Sequence, residues 1–413
     1  MQPTATLLSY AEWIGAAQGL FLGLLLLRMG RTYANALLAA LLLAVSLLLG
    51  WVALHDAGLL ERYPDLLVGG SVLPLLVGPL LYLYVRAVVG QDGRWQLRHL
   101  FHFLPFAAYQ LALLPFYLRS AEAKAGFAAR HHEHAHLDIW AQLPLLQFFA
   151  YAAAVLLLIR RHDQHLRNYF SDLERRQLTW LRNLVVGTAA IWLAFAVLNL
   201  AWGVHRAGAL FGPLLAAAVY YVAYRRIREP QLFEAAKQPA AQPPARVEAE
   251  MPEVGPEALA GSESNPPPAA APVRGKYGRS DFVHEQAATY RTQLRKLMEA
   301  DHLYQQEGLT AKQVADGVGI STHHLSQLLN QVMETNFFDF VNHYRVAEVK
   351  REMRNPAKRH LTLLALALEA GFRSKAAFNA AFKKNTGSTP SAYKKQPLPD
   401  ELDRRGEGVE GLV

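Results

Sequence analysis

The chain has 413 residues, 52% of them hydrophobic, and a formal net charge of +8. That length exceeds one ordinary domain and leaves room for a linker. It contains no Cys, which excludes disulfides, thiolate metal sites and cysteine nucleophiles and leaves His, Asp and Glu as the only candidate ligands. The charge is unevenly spread: Arg274 to Gln396 holds 19 Lys and Arg against 11 Asp and Glu, behind an acidic stretch with two bases and six Glu between Gln231 and Val273. A basic globular tail suits an anionic polymer such as DNA, with a merely well-solvated domain as the plainer alternative.

Residues 1–228 hold the long Leu and Ala runs. A bilayer core about 30 Å thick needs roughly 20 apolar residues in a helix, and seven segments reach that length: Thr6 to Leu27, Tyr33 to Leu54, Leu66 to Val89, His99 to Leu118, Ile139 to Ile159, Leu181 to Gly203 and Ala207 to Tyr224. No Lys or Arg precedes the first, and Arg28 and Arg31 follow it, which predicts an uncleaved helix rather than a signal peptide. Alternate connections carry 14 and 5 Lys and Arg, so the positive-inside rule predicts the N-terminus outside and the C-terminal part in the cytoplasm.

No span contains Lys, which rules out a retinal Schiff base in the membrane. Glu12 is the single carboxylate inside a span, and its place near the outer end predicts that it reaches water. Gln18, Trp51, Tyr109, Gln110, Gln147, Asn199 and Trp202 are expected as interhelical hydrogen-bonding groups or interface anchors. Between the fourth and fifth spans, His131, His132, Glu133, His134, His136 and Asp138 form the densest candidate ligand cluster. Closely spaced imidazoles bind zinc, copper or nickel and titrate near neutral pH, although their spacing matches no closed site and a solvated polar turn is the alternative.

Residues 229–278 carry nine prolines among Ala, Glu and Gly after Pro230. Such a composition buries too little apolar surface to offset its conformational entropy, which predicts a disordered linker. Residues 279–396 form a second domain, and 397–413 a flexible tail.

Inside the second domain the sequence repeats. Leu309, Thr310, Ala315, Gly319, Ile320, Ser321, Leu325 and Leu329 recur as Leu361, Thr362, Ala367, Gly371, Phe372, Ser374, Phe378 and Phe382, with Arg373 as one extra residue in the second turn. Each half predicts a helix-turn-helix. Thr310 and Thr362 cap a first helix, Ala315 and Ala367 allow a close crossing, and Gly319 and Gly371 end that helix. Ser321 and Ser374 cap a second helix, whose apolar face is Leu325, Leu328 and Leu329 or Phe378 and Phe382 and whose opposite face is free for a major groove.

These residues closely resemble the AraC family of bacterial regulators, in which two such motifs are joined by a long helix. The resemblance runs from Asp281 to Lys395, includes a joining helix from Phe337 to Arg354 with the run RVAEVK at Arg345 to Lys350, and is most specific in GFRSKAAFNAAFKKNTGSTPSAY at Gly371 to Tyr393. The first 228 residues look like the seven-helix sensor region of some members, through GPLLYLYVR at Gly78 to Arg86, HFLPF at His102 to Phe106 and YRRIREPQLF at Tyr224 to Phe233. The resemblance implies that the second helices read bases, through His323, Ser326 and Gln327 in the first motif and Lys375, Ala376, Asn379 and Ala380 in the second. It makes Arg345, Lys383, Lys384 and Lys394 candidate phosphate contacts.

The expected protein is therefore all-α: a seven-helix transmembrane bundle and a cytoplasmic double helix-turn-helix domain joined by a disordered linker. The implied function is a one-component transcription regulator in the bacterial inner membrane. Its expected partners are promoter DNA, RNA polymerase, membrane lipids, an unidentified small-molecule, metal or lipid signal, and a second copy of itself. Alternatives are a transporter or channel with an autoregulatory tail, and a membrane anchor that releases a soluble regulator by proteolysis. No nucleophile, metal centre or phosphate loop marks an enzyme, and no cofactor is expected.

Overall fold

In the computed structural model, described residues are 3–29, 32–59, 72–90, 93–120, 139–173, 178–202, 204–228 and 286–395, with a few isolated positions between them. The histidine cluster at His131 to His136, all of residues 229–278 and the tail after Lys395 lie outside them. Among the described residues the protein is helical, with no named strand and one isolated β-bridge. The chain divides into two compact units: Met1–Arg161 with Leu178–Pro252, and His162–Gln177 with Glu253–Val413. Residues His162–Gln177 thus group with the C-terminal unit, although hydropathy alone assigns them to the membrane half.

The first unit is built from α1 (Pro3–Met29), α2 (Tyr33–Asp56), α3 (Pro74–Val88), α4 (Leu104–Tyr117, entered through a 3-10 turn from Leu97), α5 (Ile139–Arg167, ending in the second unit), α6 (Thr179–Trp202) and α7 (Val204–Arg228). Among the described residues, five stretches are long and apolar enough to cross a membrane: Tyr10–Arg28, Tyr33–Asp56, Leu97–Tyr117, Gln142–Arg167 and Thr179–Leu198. Pro74–Val88 and Phe211–Val222 are shorter apolar helices. Of the expected third span, Leu66 to Val89, the described helix runs from Pro74 to Val88, with Pro in the first turn where its missing N–H costs nothing, and most of the residues between 64 and 71 lie outside the described residues.

Leu and Ala side chains of α1, α2, α3, α5, α6 and α7 form one apolar core, including Leu48, Leu49, Leu83, Phe148, Ile159, Leu181 and Val219. The aromatic set Phe148, Trp192, Phe195 and Phe211 ties α5, α6 and α7 together, with ring centroids 5.3 Å apart for Phe148 and Trp192 and 4.8 Å for Trp192 and Phe211. Polar groups bond between helices where expected for Gln147, whose Nε2 donates to Leu75 O at 3.1 Å. Trp51 Nε1 donates to Leu66 O at 2.9 Å. Gln110 instead accepts from Tyr117 Oη in its own helix, at 3.3 Å.

Gly15, Gly19 and Gly23 stand four residues apart on α1 and make close packing possible. A Cβ at Gly15 lies 2.6 Å from Ala216 Cβ of α7, so only glycine lets these backbones approach, and one at Gly23 lies 3.1 Å from Leu43 Cγ of α2, a tight contact to which the leucine side chain has to yield. A Cβ at Gly19 overlaps Ser46 Oγ, which itself donates to Leu42 O at 2.7 Å. Glu12 corrects the expectation of a water-facing carboxylate. It is 1% exposed, lies over Gly212, and its Oε2 has no hydrogen-bond partner among the described residues.

Gly15→Leu forces α1 and α7 apart, and overpacking of this kind costs about 1–3 kcal/mol. The expected outcome is a lower thermal midpoint for the detergent-solubilised protein followed by tryptophan fluorescence. Gly50→Leu, at a position with nothing within 4 Å of a Cβ, is expected to leave the midpoint unchanged.

A candidate nucleic-acid interface

In the second unit, α8 (Ala287–Glu299) packs beside α9 (Ala311–Val318), which forms the first motif with α10 (Thr322–Gln327). The joining helix α11 (Phe337–Glu352) leads to α12 (Leu363–Glu369) and α13 (Lys375–Thr386), which form the second, followed by α14 (Pro390–Lys395).

Both motifs are shaped by the same local chemistry. Thr310 caps α9 by accepting from Gln313 N at 3.3 Å, while Gln313 Oε1 accepts from Thr310 N at 2.8 Å, a reciprocal capping box. Thr362 caps α12 by accepting from Ala365 N at 3.1 Å. Ser321 and Ser374 cap the second helices, accepting from His324 N at 3.1 Å and Ala377 N at 3.0 Å. The turns repeat too: Ile320 N donates to Ala315 O and Phe372 N to Ala367 O, both at 3.0 Å, across Gly319 and Gly371 at φ +78° and +93°. These are the bonds of a helix ended by a left-handed residue.

Each motif has its own core, and α11 serves both. Phe337, Phe340, Val341 and Tyr344 pack with Leu309, Val314, Ala315, Leu325 and Leu329. Val346 and Val349 pack with Leu366, Ala367, Phe372, Phe378 and Phe382. A helix buried on several sides carries apolar residues around much of its circumference, as α11 does.

The structure corrects one expected phosphate contact. Arg345 is 1% exposed and belongs to the interior. Its Nε donates to Tyr304 O at 2.8 Å, its Nη2 to Gln306 O at 2.9 Å and to Ser171 Oγ at 3.4 Å, and its guanidinium carbon lies 5.7 Å from the Phe372 ring centroid. Burial lowers its pKa to about 10, with neighbouring Asp172 opposing that shift, so it stays charged at neutral pH.

The remaining candidates lie at the surface or beside it. His323, Lys375, Ala376, Asn379 and Ala380 are exposed along α10 and α13, whereas Ser326 and Gln327 are half-buried. Ser326 is engaged by Asn330, whose Nδ2 donates to Ser326 O at 2.9 Å and to its Oγ at 3.1 Å. After Gln327 the helix continues as a π-turn, Leu328–Val332. Lys383 and Lys394 are exposed; Lys384 is exposed but paired with Asp339 of α11 at 2.6 Å.

Two participants escaped the sequence. Arg373, visible only as the extra residue of the second turn, lies 3.4 Å from Asp172 and 3.8 Å from Glu307. The segment Tyr169–Asp172 carries no local signal, because its partners are more than a hundred residues away.

Comparison with known proteins agrees with this geometry. Residues 314–396 match the family model described as a helix-turn-helix domain. The C-terminal part of the chain thus contains a helix-turn-helix domain. Over 99 residues the chain is 26% identical to "Probable transcription factor PqrA" of Proteus vulgaris, a stretch covering 24% of this chain and 79% of that protein. No solved structure matches.

A Cβ at Gly371 lies 2.7 Å from both Tyr304 O and Gln305 O, on a backbone with φ +93°. Gly371→Ala therefore meets a backbone clash as well as left-handed strain, and is expected to destabilise the domain by more than the ~1 kcal/mol typical of the strain alone. Gly387→Ala, with φ +73° and nothing within 4 Å, bears only the strain. Urea unfolding followed by tyrosine fluorescence is expected to rank Gly371→Ala below Gly387→Ala and both below the parent.

Proposed function

We propose that the chain is a membrane-bound one-component transcription regulator that binds promoter DNA through two helix-turn-helix motifs and responds to a signal received by its N-terminal helices. The observation that carries this reading is the pair of motifs with matched caps and turns, whose second helices present His323, Lys375 and Asn379 on an exposed face. The relative's printed name supports the same activity.

Membrane residence is supported by the surface of the first unit. Phe21, Leu47, Leu111, Leu146 and Leu193 are each more than half exposed on its apolar helices, a surface suited to hydrocarbon and unsuited to water. All seven helices span in this reading, two of them short in apolar length. α3 has 15 residues, about 22 Å of helix, and needs local thinning or flanking residues that reach the interface. The N-terminus lies outside the inner membrane, and the helix-turn-helix domain lies in the cytoplasm, where DNA is available.

On DNA, His323, Ser326 and Gln327 contact base edges from the first motif, and Lys375 and Asn379 from the second. Ala376 and Ala380 fit thymine methyl groups. Lys383, Lys384 and Lys394 hold phosphates. Two motifs reach successive groove faces roughly 34 Å apart within one chain, and pairing of two chains through the membrane half doubles the site.

The test uses the full chain in detergent micelles and a duplex selected by it from a randomised pool. His323→Ala and Asn379→Ala are each expected to weaken binding by about 1–3 kcal/mol and to relax preference at separate positions of the selected site. Lys383→Ala is expected to weaken all sequences alike and to reduce the salt dependence by about one counterion. Failure to select any sequence, with only salt-sensitive binding left, would sink the regulator reading. Alkaline phosphatase fused after Gly58 is expected to be active, and fused after Gln164 inactive.

A further inference from the structure

Tyr169–Asp172 runs antiparallel to the start of the first motif. Ser171 N donates to Leu309 O at 3.2 Å, Ala311 N donates to Tyr169 O at 2.9 Å, and Phe170 faces Thr310 in the bridge between them. Ser171 Oγ donates to the same Leu309 carbonyl at 2.7 Å. The Ala311 N–H is one of the first-turn donors that α9 cannot satisfy from within, so this segment completes the cap that Thr310 and Gln313 begin.

The same four residues reach the other two elements that set the spacing of the motifs. Ser171 Oγ meets Arg345 on the joining helix, and Asp172 meets Arg373 in the turn of the second motif. Alongside, Tyr169 packs on the first-motif core, the Arg167 guanidinium lies 5.6 Å from the Phe338 ring centroid, and Ser171 and Leu173 are buried. None of these contacts covers His323, Lys375 or Asn379, which remain exposed.

We propose that Tyr169–Asp172 is a docking strap through which the N-terminal helices control DNA affinity, resting on the regulator reading above. Docked, it holds both motifs and the joining helix in the arrangement that fits successive groove faces. Withdrawn, it leaves Leu309 O and Ala311 N without these partners and takes Asp172 away from Arg373, and the spacing of the two motifs is less well fixed. The strap is continuous with α5, which ends at Arg167, and α6, which begins at Thr179, so movement of either helix acts on it directly.

The absence of Cys from the chain makes the test clean. Phe170 and Thr310 are a non-hydrogen-bonded antiparallel pair, with Cα atoms expected about 4.5 Å apart, within disulfide range. The full chain carrying Phe170→Cys and Thr310→Cys, in micelles, is expected to form an intramolecular disulfide under mild oxidant. Its oxidised form is expected to bind the duplex selected by the parent at least as tightly as its reduced form does. Ser171→Ala with Asp172→Ala is expected to weaken binding roughly tenfold, a usual size for coupling between sites. Asp172→Asn, which keeps shape and removes only the charge facing Arg373, is expected to weaken it less.

Free alkylation of both thiols, a cross-linked dimer in place of the monomer, lower affinity on oxidation, or unchanged affinity in the strap variants would each overturn the strap. Comparing one polypeptide oxidised and reduced removes misfolding as an explanation. If the parent selects no duplex, the regulator reading itself fails. If it binds and the strap variants bind equally well, only the strap fails.

Discussion

The C-terminal unit is organised around one buried cation. Placing a guanidinium in an interior costs several kcal/mol unless its donors are met. Arg345 meets that demand with main-chain carbonyls: Tyr304 O and Gln306 O fix the turn before the first motif, while the Phe372 ring of the second motif lies against its face. The two motif cores have no buried residue in common, so the relative placement of the recognition helices depends on α11 and on what Arg345 holds along it. Glu348, one turn further, extends the network by accepting from Tyr304 Oη at 3.0 Å and pairing with Arg351 at 2.6 Å. Tyr304 is thereby held by both its carbonyl and its phenol, and burial beside that carboxylate raises the phenol pKa to about 12.

On this frame the two motifs share a backbone and differ in use. Leu325, Leu328 and Leu329 fill the first core, whereas the second stacks Phe372, Phe378, Phe382 and Tyr393 edge to face, with neighbouring centroids 5.4–5.6 Å apart. The first recognition helix has six α-helical residues before its π-turn; the second runs regularly for 12. The shorter helix carries His, Ser and Gln, and the longer one an exposed alanine after each of Lys375 and Asn379, Ala376 and Ala380. Polar side chains discriminate base edges by hydrogen bonding, and alanines offer only a methyl contact. In the proposed reading, sequence discrimination therefore falls more heavily on the first motif.

Much of this was legible because it is local. A cap residue, a glycine and a hydrophobic period act within about ten residues, so the repeat gave both motifs, all four caps and both turns. Arg345 was expected at a phosphate, although a signal for burial was present: it lies four residues after Val341 and four before Val349, both fully buried, on one face of the helix. Glu12 looked exposed because its depth depends on Gly212, about 200 residues away. The pairing of Ser171 with Leu309 has no local trace at all, being fixed only once both segments have folded.

The strength of that pairing decides whether it can act as a switch. The Asp172 and Arg373 pair leaves the guanidinium side chain 44% exposed, so solvent screens it to about 0–1 kcal/mol. Each main-chain bond contributes about 0.5–1.5 kcal/mol net, and burial of part of one apolar side chain adds about 1–2 kcal/mol. The total is a few kcal/mol, against the ordering cost of four residues. A contact of that size is populated when the helices on either side of it permit, and is lost when they move. About 5.5 kcal/mol of differential binding turns a two-state equilibrium almost completely over. A signal that favours one helix arrangement over another has to supply no more than this, and the buried Arg345 network, held mainly by carbonyls of its own domain, survives the release.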